Sequence, residues 1–206
     1  MKKLTLFFAL PLFVLLGCKA EAQRGELGPM PQDLQSMLVA GGCFWCVEAD
    51  FEKVDGVYEV ISGYGGGTTA GPTYKNYEAN GHREVALIRY DPEVIGFEDL
   101  ATLFIRTIDV TDDGGQFCDR GFGYTTAVYY GTLQEQEILE RVIAEGEAEI
   151  GRDIVTPIEP LPTFYPAEDY HQDYYKKNAG RYQVYRGLCG RDRTVRNVWG
   201  RAPGDA

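Results

Sequence analysis

The chain is poor in cysteine, histidine and positive charge. Five Cys among 206 residues are too sparse for a disulfide-stapled scaffold. Only two His occur, His82 and His171, and no Cys–His mixture stands at zinc spacing. Lys and Arg number 20 against 31 Asp and Glu, a formal charge of −11. That balance disfavours a nucleic-acid binder, and it disfavours attachment to anionic lipid through basic residues. There is no internal repeat and no low-complexity block. The longest apolar run, Leu4 to Leu16, is broken at Pro11 and too short to span a bilayer comfortably. What remains, 44% apolar and 25% charged residues, is the composition of one folded domain with a core and a tail.

The first residues form an address. Lys2 and Lys3 are a basic start, Leu4 to Leu16 an apolar signal region, and Leu15-Leu16-Gly17-Cys18 its end. This resembles the lipobox of bacterial lipoproteins, in which cleavage precedes a Cys that carries lipid. The resemblance implies residues 1–17 as signal, Cys18 as the lipidated residue, and 18–36 as lipidated N-terminus and tether. An ordinary secretory signal is the alternative. Lys19, rather than Asp, after the Cys favours the outer membrane, and export implies an oxidising compartment. Cys18 is then withdrawn from chemistry.

Residues 37–206 read as a single domain. Met37 to Ala40 is a strand running into Gly41-Gly42, and Cys43 to about Lys53 a helix stopped by Asp55-Gly56. Strands follow at Val57–Ser62, Arg83–Tyr90, Thr125–Tyr130 and Ile154–Ile158. Phe97, Leu100, Phe104 and Ile108 share a helical face. Thr132 and Glu135 form a capping box for a helix to about Glu149, whose acidic face is a solvated one. Ala167–Asn178 reads as a helix, and the tail after Arg181 as irregular. The alternation fits one α/β or α+β domain with a central sheet. Two long loops rich in Gly and Tyr, 63–82 and 111–124, are where a site would sit.

Gly42-Cys43-Phe44-Trp45-Cys46 is the most informative stretch. A Cys in the first turn of a helix meets unpaired N–H groups and the positive end of the dipole, which favour thiolate. Phe44 and Trp45 can wall an apolar pocket for a small uncharged group. Cys46 lies one turn on, within disulfide reach. Redox chemistry, zinc binding and simple burial all use such a Cys-x-x-Cys pair.

These residues resemble the A-type peptide methionine sulfoxide reductases, whose hallmark is Gly-Cys-Phe-Trp followed by Gly or Cys. Further stretches match in order: Gly63-Tyr64-Gly65-Gly66, Pro72-Thr73-Tyr74, Gly81-His82-Arg83-Glu84-Val85, Tyr90-Asp91-Pro92, Asp119-Arg120-Gly121 with Tyr124, and Ala167-Glu168-Asp169-Tyr170-His171-Gln172. The resemblance spans residues 36 to 180. It implies an α+β two-layer sandwich of ferredoxin-like plait type, a central mixed sheet with flanking helices. By position it implies Cys43 as the nucleophile on the sulfoxide sulfur and Glu84 as the acid on its oxygen. Tyr74 and Tyr124 would donate hydrogen bonds to that oxygen, Phe44 and Trp45 would hold the methyl group, and Asp119 would position the substrate. The resemblance implies methionine S-sulfoxide, free or in proteins, as the substrate. Sulfoxide reduction does need a soft nucleophile on sulfur and a proton on oxygen, and it leaves a sulfenic acid that a second thiol condenses to a disulfide.

The resolving thiol stays open: Cys46 is nearest in chain, Cys189 has the family's usual tail location, and Cys118 sits on a loop that should line the site. Cys46–Cys118 as a structural pair is a further possibility. His82 and His171 read as structural. No metal or organic cofactor is expected. Electrons would come from a thioredoxin-like donor, and the protein would act as a lipid-anchored monomer on oxidised exported proteins. The rivals are a thioredoxin-like disulfide oxidoreductase using Cys43 and Cys46, and a zinc protein using Cys43, Cys46, Cys118 and Cys189.

Overall fold

The computed structural model describes residues 33–200. The signal, Cys18 and most of the tether lie outside the described residues. Among the described residues no helix is long and apolar enough to cross a membrane.

The chain opens with β1 (Gln35–Gly41), two residues earlier than expected, followed by α1 (Phe44–Phe51) and β2 (Val57–Gly65). Next come β3 (Arg83–Tyr90) and α2 (Phe97–Ile105), then a small hairpin of β4 (Gly115–Gln116) and β5 (Asp119–Arg120). β6 (Thr126–Tyr130), α3 (Leu133–Ile150), β7 (Ile158–Pro160) and β8 (Tyr165–Pro166) follow. Three helices close the chain: α4 (Tyr174–Lys177), α5 (Ala179–Cys189) and α6 (Arg191–Trp199).

The main sheet has the order β7-β6-β1-β3-β2-β8. Its neighbours are antiparallel except β6 and β7. The inner four strands, β6-β1-β3-β2, come from two interleaved β-α-β units, β1-α1-β2 and β3-α2-β6, which is the expected plait. Period-two alternation divides the sheet's side chains. Met37, Val39, Ala86, Ile88, Tyr90 and Val128 enter the large core with Phe51, Leu100 and Phe104. Leu38, Ala40, Val85, Ala127 and Tyr129 form a smaller cluster on the opposite face. Glu84 shares the parity of Ala86 and Ile88, so it points from the start of β3 toward the helices. Arg83 points the other way, to Glu159 at 2.9 Å, Thr125 Oγ1 at 2.8 Å and Tyr129 Oη at 3.2 Å. The expected capping box of α3 is present: Glu135 N–H donates to Thr132 Oγ1 at 3.1 Å, and Thr132 N–H to Glu135 Oε2 at 3.0 Å.

Three expectations need correction. The tail after Arg181 is not irregular; it forms most of α5 and all of α6, joined at Gly190 with φ +67. On α6 the inward stripe is Arg191, Val195 and Trp199, all buried. An arginine in the stripe hides its apolar period; its guanidinium lies 3.6 Å from Asp50 and donates to the Gly41 carbonyl at 3.3 Å. On α5 the apolar Val184 and Leu188 face solvent, while Tyr182 is buried and Tyr185 half-buried. The segment Ala167–Asn178 is helical only over Tyr174–Lys177, because Asp173 adopts a left-handed φ of +54. The last strand of the parallel pair is Ile158–Pro160 rather than Ile154–Ile158; Pro157, which has no N–H, accepts from Val128 N at 3.0 Å as the ladder begins.

Trp199 pins α6 to the core. Its indole N–H donates to the Ile108 carbonyl at 3.3 Å, and its ring lies against Gly146 of α3. Trp199→Ala should therefore cost roughly 3 kcal/mol or more, read as a lower urea midpoint at unchanged slope. A change within 0.5 kcal/mol would mean that α6 is dispensable to the core.

Candidate active site

The turn between β1 and α1 fixes the site. Gly42 has φ +76, and a Cβ there would lie 2.5 Å from Gln116 Cβ, so only glycine fits. Gln116 is fully buried; it binds the Asp109 backbone through both ends of its amide. The β4–β5 hairpin is thereby held against the turn. Cys43 caps α1, and its carbonyl accepts from Cys46 N–H at 3.0 Å. Phe44 N–H, one of the free donors of the first turn, reaches across to Glu84 Oε2 at 3.0 Å. Tyr77 Oη donates to Glu84 Oε1 at 3.3 Å.

Cys43, Phe44, Trp45, Tyr74, Glu84, Asp119, Tyr124 and Tyr185 line one cavity of about 90 Å³. That is well below the ~300–1,000 Å³ of a drug-sized pocket and suits the tip of one side chain. Every catalytic and substrate-binding residue expected from the sequence thus meets at one place. Tyr74 and Tyr124 both lie against Tyr77, with ring centroids 6.1 Å and 6.4 Å from it. Trp45 is stacked on Tyr174 with centroids 3.7 Å apart, and its indole N–H donates to His171 Nδ1 at 3.2 Å. Burial lowers the His171 pKa, which keeps its nitrogen an acceptor for that bond. His82 holds the glycine loop through Gly67 N–H at 3.2 Å and the Thr69 carbonyl at 2.9 Å.

Sequence reasoning missed Tyr77, Tyr185 and Glu168. Glu168 accepts from Tyr64 Oη at 2.9 Å and from Tyr74 N–H at 3.1 Å, tying the Tyr74 loop to the later segment. Tyr185 donates to Asp119 and packs beside Cys43 at the cavity. Its signal was the spacing Tyr182, Tyr185, Cys189, one inward face of a helix whose apolar residues point outward.

Two expectations about cysteine are corrected. Cys43 is not a resting thiolate: burial, then Cys46 and the Glu84 carboxyl, raise its pKa well above the usual thiol value and outweigh the helix terminus. Cys46 is shifted down, chiefly by the hydrogen bond from Cys43, with Arg191 and Arg186 assisting. Nor do Cys46 and Cys118 pair. Cys118 is bonded to Cys189, with Cα atoms 4.9 Å apart, while Cys43 and Cys46 are free. With those two sulfurs bonded to each other, the four cysteines do not pool into one zinc site. Cys43 is 5% and Cys46 3% exposed, too deep for direct exchange with a protein disulfide.

The chain agrees with known proteins throughout this region. Residues 35–203 match the family model described as Peptide methionine sulfoxide reductase. The chain belongs to the peptide methionine sulfoxide reductase family. It is 52% identical over 168 residues to "Peptide methionine sulfoxide reductase MsrA 2" of Rhizobium meliloti, covering 81% of this chain and 84% of that one. Among solved structures it is similar to reduced Mxr1 from Saccharomyces cerevisiae, with TM-score 0.68 and 30% identity over 72% of this chain and 88% of that one. It is also similar to Mxr1 in complex with Trx2, with TM-score 0.51 and 25% identity over 70% and 86%. Fold and family therefore agree.

Burial, opposed by the Phe44 N–H bond, pushes Glu84 from the usual carboxyl range up to about 8. The carboxyl is therefore neutral at pH 7 and loses its proton as pH rises through about 8. A carbon-13 titration of the Glu84 carboxyl in the reduced protein should show that midpoint. A midpoint below 5 would leave the site without a proton to give.

Proposed function

We propose that the protein reduces methionine S-sulfoxide, free or within exported proteins, with Cys43 as nucleophile and Glu84 as acid. The observation that carries this is the shared small cavity, lined by a thiol, a neutral carboxyl, the rings of Phe44 and Trp45, and tyrosine side chains. Phe44 and Trp45 hold the methyl group. Tyr74 and Tyr124 donate to the sulfoxide oxygen, and Asp119, oriented by Tyr185, positions the rest of the substrate.

In the first step the Cys43 sulfur bonds to the sulfoxide sulfur while Glu84 protonates the oxygen. The oxygen then passes to the Cys43 sulfur as the substrate S–O bond and the transient bond between the two sulfurs both break. Methionine leaves, Cys43 carries the hydroxyl as a sulfenic acid, and the proton from the Cys43 thiol restores Glu84. The resting site already holds its protons, because Cys43 is a thiol and Glu84 a carboxylic acid. The Cys46 thiol then attacks the Cys43 sulfur, water departs, and a Cys43–Cys46 disulfide forms. The packing of Cys43 and Cys46, both free thiols, in one buried cluster supports Cys46 as the resolving residue. The two electrons given to the sulfoxide come from the two thiols, and a thioredoxin-like dithiol donor returns them. The solved complex of Mxr1 with Trx2 supports that kind of donor. Residues 37–206 act as the catalytic domain, held to the envelope through lipid on Cys18 with the outer membrane favoured. The support for that placement is the agreement of basic start, apolar run and Gly17-Cys18.

Single-turnover reduction of a methionine S-sulfoxide peptide tests the chemistry. Cys43→Ser should form no methionine. Glu84→Gln should slow methionine formation about 100-fold or more while Cys43 still titrates as a thiol. The wild-type rate should fall as pH rises through about 8, as Glu84 loses its proton. Full activity in Cys43→Ser, or an unchanged rate in Glu84→Gln, would remove that residue from its role.

A further inference from the structure

Trp45, which walls the cavity, is gripped from two sides by the segment after β8. Its indole N–H donates to His171 Nδ1 at 3.2 Å, and its face lies on Tyr174, with centroids 3.7 Å apart and planes 8° from parallel. Tyr174 is placed in turn by a strained residue. Asp173, just before it, has φ +54, a conformation that a non-glycine residue keeps only where its surroundings enforce it. Helix α1 supplies that enforcement. Trp45, Glu48 and Glu52 stand three and four residues apart, on one face of the helix. Glu48 Oε1 accepts from Asp173 N–H at 2.9 Å. Glu52 accepts from Tyr175 Oη at 2.5 Å and pairs with Lys176, which also reaches Asp173 Oδ1 at 2.6 Å. The bond to Glu48 is the deepest of these contacts. That residue is 1% exposed, and its second oxygen, Oε2, has no hydrogen-bond partner among the described residues. A buried carboxyl satisfied at one oxygen is costly, and no step of the reaction uses it.

We infer that Glu48 is a positioning residue for the methyl-binding wall. By fixing the Asp173 turn it sets Tyr174 flat against Trp45, and that stack keeps the cavity too narrow for an S-alkyl group larger than methyl. The inference rests on the sulfoxide reductase reading, in which Trp45 holds the methyl group. Acceptance of the Asp173 N–H, rather than charge, is what the turn needs. Burial raises the Glu48 pKa to about 7, against the pull of that N–H. A large share of Glu48 is therefore uncharged at neutral pH, and a carboxylic acid still accepts through its carbonyl oxygen. Gln keeps the acceptor at the same reach. Its amide N–H groups would stand where Oε2 now lies, and there Glu52 and Asp173 each bring an oxygen within 4.8 Å of the Glu48 carboxyl. Asp is one methylene shorter and draws the acceptor back from Asp173 N–H. Contact between stacked rings is lost over a gap of about 1 Å, so a small release of the turn loosens the wall.

Discrimination between methyl and ethyl sulfoxides tests it, because the fraction of folded protein cancels in a ratio of rates. Second-order rate constants for single-turnover reduction are measured on the pre-reduced full chain, with the S-sulfoxides of methionine and of ethionine. Wild type should prefer the methyl compound about tenfold or more. Tyr174→Leu and Glu48→Asp should each lower that preference at least fivefold, whereas Glu48→Gln should keep it within about twofold. Glu48→Ala, which removes the acceptor outright, should lose as much as Glu48→Asp and is read in its place if that variant does not fold. In a Tyr174→Leu background Glu48→Asp should change the preference no further, since both act through one stack. An unchanged preference in Glu48→Asp and Glu48→Ala, even with both sulfoxides reduced more slowly, would make Glu48 merely structural and overturn the inference. So would equal loss in Glu48→Gln and Glu48→Asp, or a wild type without preference. No methionine formed by wild type would sink the reductase reading instead.

Discussion

A carboxyl buried beneath the first turn of a helix governs this molecule. Glu84 is 2% exposed, and a carboxylate at that depth is costly unless donors reach it. Only two arrive: the Phe44 amide and the Tyr77 hydroxyl. They do not offset burial, so the group stays protonated at neutral pH. Each donor also constrains the chain. The Phe44 amide is free because it lies in the first turn of α1, and α1 begins there because Gly42 turns through a positive φ. Tyr77 is placed by the loop between β2 and β3, which His82 and Glu168 tie down from two sides. One buried acid therefore fixes the entry of α1, the end of a long loop and the position of the neighbouring thiol.

The plait makes this juxtaposition possible. β1 and β3 are adjacent and antiparallel, so the end of β1 and the start of β3 lie at the same edge of the sheet. The alternation of β3 then sends Glu84 to the helix face and Arg83 to the other. Arg83 is not idle there. It binds Thr125, next to Tyr124, and Glu159 on β7, and so braces the segment that brings Tyr124 to the cavity. Two consecutive residues thus serve the site from opposite faces.

The inner strands, α1, α2 and α3 were legible in the sequence because their apolar residues follow the period of their own elements. Met37 to Ala40 are buried on both faces, Val85, Ala86 and Ile88 are buried with Leu87 half-buried among them, and the α2 stripe is amphipathic. The residues of the pocket were legible through ordered motifs rather than through periodicity. What was not legible has a common cause, inversion of the usual pattern. α5 turns Val184 and Leu188 outward and tyrosines inward, and α6 buries Arg191 where a leucine would have announced a helix. Tyr185 lay in that unread segment, so its contact with Cys43 was invisible. The ionisation of Cys43 was misjudged for a different reason. The helix terminus is a local effect readable from chain position, whereas the opposing burial and the nearby Glu84 belong to tertiary structure.

That ionisation bears on how the two buried cysteines differ. An environment that keeps Glu84 neutral also disfavours charge on Cys43. Dry surroundings suit a neutral sulfoxide, whose oxygen gains strength as an acceptor when water is excluded. They suit thiol–disulfide exchange poorly, because exchange proceeds through a thiolate. Cys46 lies on the side of Cys43 that faces Arg191 and Arg186, whose charges favour its thiolate. Negative charge on sulfur is therefore stabilised away from Glu84 and toward α5 and α6. The helices that supply those arginines also carry Tyr185 and Cys189. The same C-terminal segment that lines the cavity with Tyr185 thus provides the charge beside Cys46 and carries Cys189.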